Sequence, residues 1–165
     1  MIKKHLLFVC LGNICRSPSA EAVMNSLLNE GGHREKIVCD SAGIIGNHSG
    51  AKADARMQKH ARLRGYQLTS ISRQVKPESD FDRFDMIIGM DDQNIKDLKS
   101  LARSAADLKK IYWMTDFSTQ IKYKHIPDPY YGGNDGFELV LDLLEDACGG
   151  LIDHINQESK FEVGN

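Results

Sequence analysis

Among the 165 residues no apolar run is long enough to span a bilayer. The first such run, Leu6-Leu7-Phe8-Val9 behind Lys3-Lys4, ends before Gly12 and is too short for a secretory signal. Basic runs are missing too. The 21 Lys and Arg are interspersed with 23 Asp and Glu for a net charge of −2, so generic polyanion binding is not expected and neither nucleic acid nor membrane is an expected partner. Only four cysteines occur, which argues against a disulfide scaffold, and there is no Cys-x2-Cys pair or histidine cluster of ligand spacing. No metal and no cofactor are therefore expected. Without repeats, low-complexity tracts or linkers, residues 1–165 read as one domain, and 41% hydrophobic residues suffice for a full core. A cytoplasmic monomer is the expectation.

What is present is an alternation of short apolar runs and helical patterns. Strands are predicted at His5 to Cys10, Ile37 to Ser41, Met86 to Met90 and Ile111 to Met114. Ala20, Val23, Met24, Leu27 and Leu28 follow helical spacing, as do Ile95, Leu98, Leu101 and Ala102. Phe137, Val140, Leu141, Leu144, Cys148, Leu151 and Ile155 mark a long final helix, which Gly149-Gly150 is expected to weaken or bend, with fraying from Glu158 to Asn165. Cys39 and Cys148 fall on core positions. The pattern predicts a three-layer α/β fold, a central four-stranded parallel sheet with helices on both faces.

The most informative stretch is Cys10-Leu11-Gly12-Asn13-Ile14-Cys15-Arg16-Ser17-Pro18. It joins a predicted strand to a helix for which Ser17 serves as N-cap, Pro18 as first helical residue and Glu21 as a favourable charge at the positive end. At such a junction unpaired amides and the helix dipole attract an anion, and Gly12 permits the tight turn. A thiol there is stabilised as thiolate: a free cysteine titrates near ~8.5, and comparable surroundings lower it to ~3.5–7.5. The Arg16 guanidinium offers a planar fork for two phosphoryl oxygens. Taken singly, Cys10 and Cys15 also suit small buried hydrophobes and Arg16 a solvated charge; strand, spacing, cap and Pro18 together favour phosphate chemistry.

Cys10-x5-Arg16-Ser17 is the signature of cysteine-dependent phosphatases, and VCLGNICRSPSAEAV resembles the low-molecular-weight protein tyrosine phosphatases. Pro127-Asp128-Pro129-Tyr130-Tyr131 matches their downstream acid segment, with Asp40-Ser41-Ala42-Gly43, His48, Gly50, Asp54-Ala55-Arg56 and Phe84-Asp85-Met86-Ile87-Ile88-Gly89-Met90-Asp91 as ordered landmarks between. The resemblance implies a fold like phosphotyrosine protein phosphatase I and metal-independent hydrolysis of phosphotyrosine in a protein, or of a small aryl phosphate, releasing inorganic phosphate. It implies Cys10 as nucleophile, forming a phosphocysteine, and Arg16 with the backbone of Leu11, Gly12, Asn13, Ile14, Cys15 and Ser17 as phosphate binders. Asn13, Ser17 and Ser41 would brace the loop, and Cys15 would trap an oxidised Cys10 as a disulfide. From residues alone, Asn13 equally suits a left-handed turn, Ser17 a cap and Ser41 a strand end.

Chemistry independently asks for a group like Asp128: expelling a phenolate needs a proton donor, and hydrolysing a thiophosphate needs a base. Its prolines would hold the carboxyl, and Tyr130 and Tyr131 would wall it and raise its pKa. Asp-Pro alone reads equally as a surface turn. Two departures from the family stand out. Ser70 occupies a place where members often carry a histidine, and Asn47 one where many carry an aromatic, leaving Ile44 or Ile45 with Asn47, Tyr130 and Tyr131 as the expected substrate wall. The resemblance also suggests that the paired tyrosines are phosphorylated in some members. His48, Asp54 and Asp91 are read as structural. A related arsenate reductase would need relay cysteines after the third strand, and Gly89 to Leu101 has none. A phosphotyrosine-binding module with vestigial chemistry is disfavoured by Cys10, Arg16 and Asp128 together.

Overall fold

Burial alternates between two faces along the first strand, β1 (Lys4–Cys10): Leu6, Phe8 and Cys10 enter one core and Leu7 and Val9 another. A strand apolar on both faces belongs in the middle of a parallel sheet. The computed structural model, which describes residues 3–130 and 132–164, places it there. Its neighbours are β2 (Ile37–Gly43) and β3 (Met86–Gly89), with β4 (Ile111–Trp113) beyond β3, all parallel, in the order β2-β1-β3-β4.

On one face lie α1 (Arg16–Gly31) and the 31-residue final helix α6 (Asn134–Gly164), burying Val23, Met24, Phe137, Leu141 and Leu144 against Leu6, Phe8 and Ile88. The second helix, α2 (Ala55–Leu63), packs on α6 through Met57 and Ala61. On the other face, α3 (Pro77–Arg83) and α4 (Asp92–Leu101) bring Phe81 and Leu98 onto Leu7, Val9 and Ile87. A short α5 (Ala105–Leu108) precedes β4, and a 3₁₀ turn at Met114–Phe117 follows it. The three-layer α/β fold is as expected. Among the described residues no helix is long and apolar enough to cross a membrane.

Three local expectations fail. The helical conformation of α1 starts at Arg16, so Ser17 does not cap it; the cap position is Cys15, with no side-chain cap bond, and Pro18 is the third helical residue rather than the first. Glu21 consequently lies outside the first turn and bonds Ser41 instead. The helix α6 runs through Gly149-Gly150 unbroken, and the Gly150 backbone packs on the carbonyl of Phe117, leaving no room for a Cβ.

Candidate active site

Between the end of β1 and the start of α1, residues 11–15 form a loop in which most carbonyls are turned to the protein. The carbonyls of Cys10 and Leu11 accept from the Ile44 and Ile45 amides, that of Gly12 from the Ser72 hydroxyl, and that of Ile14 from the Asp54 amide at 2.8 Å. The amides of Leu11, Gly12, Asn13, Ile14 and Cys15 donate to no group among the described residues. With these four carbonyls spent and the five amides unspent, the loop is an anion receptor. Close approach of β2 permits it: a Cβ on Gly43 would stand 3.0 Å from the Gly12 carbonyl carbon and the Leu11 oxygen.

Asn13 holds the loop from within. Its φ of 58° is the left-handed conformation, and its side chain is fully engaged. The amide nitrogen donates to Ser17 Oγ at 2.8 Å and Ser41 Oγ at 3.0 Å, while the amide oxygen accepts the Arg73 N–H at 3.0 Å. Both readings open at the sequence level are therefore realised in one residue. Ser17 Oγ accepts from Asn13 and stands 3.1 Å from Cys10 Sγ and 3.4 Å from the Ala42 carbonyl, two acceptors between which its single hydrogen is shared. Ser41 donates to Glu21 at 2.7 Å, and Ser70 stands close enough to the same carboxyl to favour its anion, so the serine at the departure from the family pattern lies beside the loop's support.

Arg16 is buried, with 3% of its side chain exposed. Nη1 donates to Asp91 Oδ2 at 2.5 Å and to the Ile126 carbonyl at 3.1 Å, while Nη2 lies 3.6 Å from Asp128 Oδ2. Burial works against its charge, but Cys10, Asp91 and Asp128 outweigh it and hold its pKa above the usual guanidinium value. Asp91, read as structural from the sequence, does more. Its Oδ1 caps α4 through the Asn94 amide and its Oδ2 orients Arg16. Its place just beyond the C-terminal end of β3, level with the loop after β1, was the available signal.

Cys10 and Cys15 are both 3% exposed. Burial, with Asp54 and Cys10 nearby, pushes the Cys15 thiol up, so it is a neutral thiol at physiological pH. Asp128 sits at the rim, its Oδ1 accepting the Tyr130 amide at 3.0 Å. A cleft of about 180 Å³ joins these groups, lined by Cys10, Leu11, Gly12, Ile14, Cys15, Arg16, Ile45, Asn47, His48, Asp128 and Tyr130. The expected wall is thus corrected at one position. Ile44 turns into the core beside β1 and α3, and Ile45 lines the cleft in its place, the chain bending just beyond β2. Asn47 and Tyr130 are where they were expected, and Tyr131 lies outside the described residues. His48, taken as structural, lines the cleft with its ring 6.3 Å from that of Tyr130. A cavity of about 440 Å³ at the far end of the sheet, bounded by Lys4, Asp85, Tyr112, His154 and Glu158, includes none of these groups.

A buried cysteine at the foot of an amide-lined loop, with an arginine at the loop's other end, on a parallel sheet, defines the class as a cysteine-type phosphatase. The family model described as low molecular weight phosphotyrosine protein phosphatase matches residues 5–161. A protein tyrosine phosphatase structure from Entamoeba histolytica, with Hepes in its active site, superposes with a TM-score of 0.92 at 49% identity, covering 95% of this chain and 99% of that one. YfkJ from Bacillus subtilis superposes at 0.88 with 38% identity, covering 96% and 98%. The human low molecular weight phosphotyrosine protein phosphatase is 37% identical over 91% of this chain and 94% of its own. The chain belongs to the low-molecular-weight protein-tyrosine-phosphatase family.

Proposed function

We propose that this protein hydrolyses phosphotyrosine monoesters through a phosphocysteine on Cys10, with Asp128 as proton donor and then base. The convergence of Cys10, Arg16 and Asp128 on one cleft carries this reading. Cys10 Sγ attacks phosphorus, the bond to the phenolic oxygen breaks, and the Asp128 carboxyl protonates the departing oxygen. Asp128, now a carboxylate, takes a proton from water as that water attacks phosphorus. The S–P bond then breaks, releasing inorganic phosphate and the Cys10 thiolate, which the Ser17 hydroxyl stabilises. The loop amides and the Arg16 fork hold the three equatorial oxygens, and Asp91 fixes the fork's orientation. The Hepes bound in the active site of the Entamoeba enzyme carries a sulfonate, a tetrahedral oxyanion like phosphate, which fits such a loop.

Leu11, Ile14, Ile45 and Tyr130 give the cleft apolar walls suited to an aryl group, whether on a protein or a small aryl phosphate. Every group in the cycle comes from one chain, so the reading is of a single-domain monomer needing no metal or cofactor. A nucleophilic thiol works only while reduced, which supports a reducing compartment such as the cytoplasm as its place of action. Hydrolysis of a phosphotyrosine peptide and its phosphoserine counterpart, in excess chelator, tests the proposal. The phosphotyrosine peptide is expected to turn over with wild type and not with Cys10→Ser, and the phosphoserine peptide with neither. No turnover by wild type would move the reading to a binding module.

A further inference from the structure

We propose that Arg56 is a positioning residue for the general acid, tying the Asp128 segment to the phosphate loop; this rests on the acid role proposed for Asp128. Arg56 is the second residue of α2 and does not line the cleft. Its guanidinium forms a two-point ion pair with Asp54, Nε to Oδ1 at 3.2 Å and Nη2 to Oδ2 at 3.0 Å, and the same Nη2 donates to the Tyr130 carbonyl at 3.0 Å. Both partners lead into the site. The amide of Asp54 donates to the carbonyl of Ile14 in the phosphate loop at 2.8 Å, and the amide of Tyr130 donates to the Asp128 carboxylate at 3.0 Å. The path from loop to acid thus runs Ile14, Asp54, Arg56, Tyr130, Asp128, through hydrogen bonds at each noncovalent step.

The guanidinium is also fixed in orientation. It lies 5.4 Å from the ring centroid of Tyr130 and 5.0 Å from that of Phe137, at the start of α6. Phe137 is 1% exposed and stacks on His60 of α2 at 5.2 Å. Half-exposed arginines ordinarily hold one weak surface pair. Here a buried aromatic floor and a carboxylate that also caps α2 pre-set the fork before it meets the Tyr130 carbonyl. An acid on a loop reached from solvent needs such a strut, because its carboxyl must meet the leaving oxygen within hydrogen-bond reach.

The test is kcat/KM, which reports phosphocysteine formation, measured on two substrates. Phenyl phosphate needs its leaving oxygen protonated; a dinitrophenyl phosphate does not. Arg56→Met is expected to lower kcat/KM about 10-fold on phenyl phosphate and less than about 2-fold on the dinitrophenyl ester, a fraction of the 10²–10⁴ a general acid supplies. Arg56→Lys keeps charge and stem but lacks the fork, and is expected to show the same selective loss; it carries the test should the methionine variant not fold. Asp128→Ala serves as reference, and adding Arg56→Met to it is expected to cost phenyl phosphate nothing further. Equal losses on both esters, or none, alongside a selective loss in Asp128→Ala would overturn the role of Arg56 alone. Equal losses in Asp128→Ala would instead remove the acid assignment and Arg56's role with it.

Discussion

Glu21 is a half-buried carboxyl bonded by the Ser41 hydroxyl, on which the charges of Asp40 and Arg73 act in opposite directions. Burial disfavours its anion and raises its pKa above the ordinary carboxylate range, against the opposing influence of the Ser41 bond and the nearby Ser70 hydroxyl. A folded-state pKa above the unfolded one means that the native state binds the extra proton. The resulting stability is complete below the unfolded value, about 4.3, and is lost as pH rises through the folded value. Glu21→Gln keeps an acceptor for Ser41 without titrating. Denaturant midpoints across about pH 4 to 7 should therefore show wild type losing stability relative to the variant as pH rises; parallel curves would rule this out. Residue roles of this kind were only partly legible. Cys10, Arg16 and Asp128 declare themselves by reactivity and spacing, whereas Ser17 looks like a cap and Asp91 like a helix start. What separates cap from site is the partner across the fold, Cys10 for one and Arg16 for the other. That partner is seven residues away for Ser17 and 75 for Asp91.

The long helix α6 illustrates the same limit for a whole element. Its apolar spacing, Phe137 through Ile155, was readable because it faces one continuous core, but its two central glycines look like a weak point when propensity is the only guide. The structure separates them. A Cβ on Gly149 meets nothing within 4 Å, while one on Gly150 would run into the Phe117 carbonyl and the Thr119 side chain. Gly149→Ala should raise stability by about 0.5–1 kcal/mol through helix propensity alone. Gly150→Ala, despite the same gain, should cost about 1–3 kcal/mol net, because a backbone carbonyl cannot step aside as a side chain can. Thermal unfolding of the pair decides it, and two stabilising substitutions would mean that the 3₁₀ turn yields. That turn leads into residues 119–121, whose amides are gathered by the Asp146 carboxylate of α6, so the packing at Gly150 sets where the chain starts toward Ile126 and Asp128. The short α3 and α5 left no readable pattern, since 7 and 4 residues do not establish a helical period.

Across the whole molecule the order β2-β1-β3-β4 sends the chain to one side of β1 first and to the other side later, opening a crevice at the C-terminal ends of β1 and β3. Residues 10–17, 41–54, 91 and 126–130 meet there, and hydrogen bonds between these segments hold the site together. The fold class was legible because four apolar runs alternating with helical patterns permit few arrangements. Which of Ile44 and Ile45 walls the cleft was not, because both lie in the bend beyond β2 and only the fold turns Ile44 into the core and Ile45 to the cleft. Such a site exists only in the folded chain, so an anion that fits it must stabilise the whole fold by mass action. Inorganic phosphate at 100 times its Kd should add about 2.7 kcal/mol and raise Tm, whereas chloride of equal ionic strength should not. The shift should be largely lost in Arg16→Met, which removes the fork but leaves the net surface charge elsewhere intact. Were phosphate to raise Tm equally in wild type and Arg16→Met, the stabilisation would be a general salt effect on the surface rather than occupation of the loop.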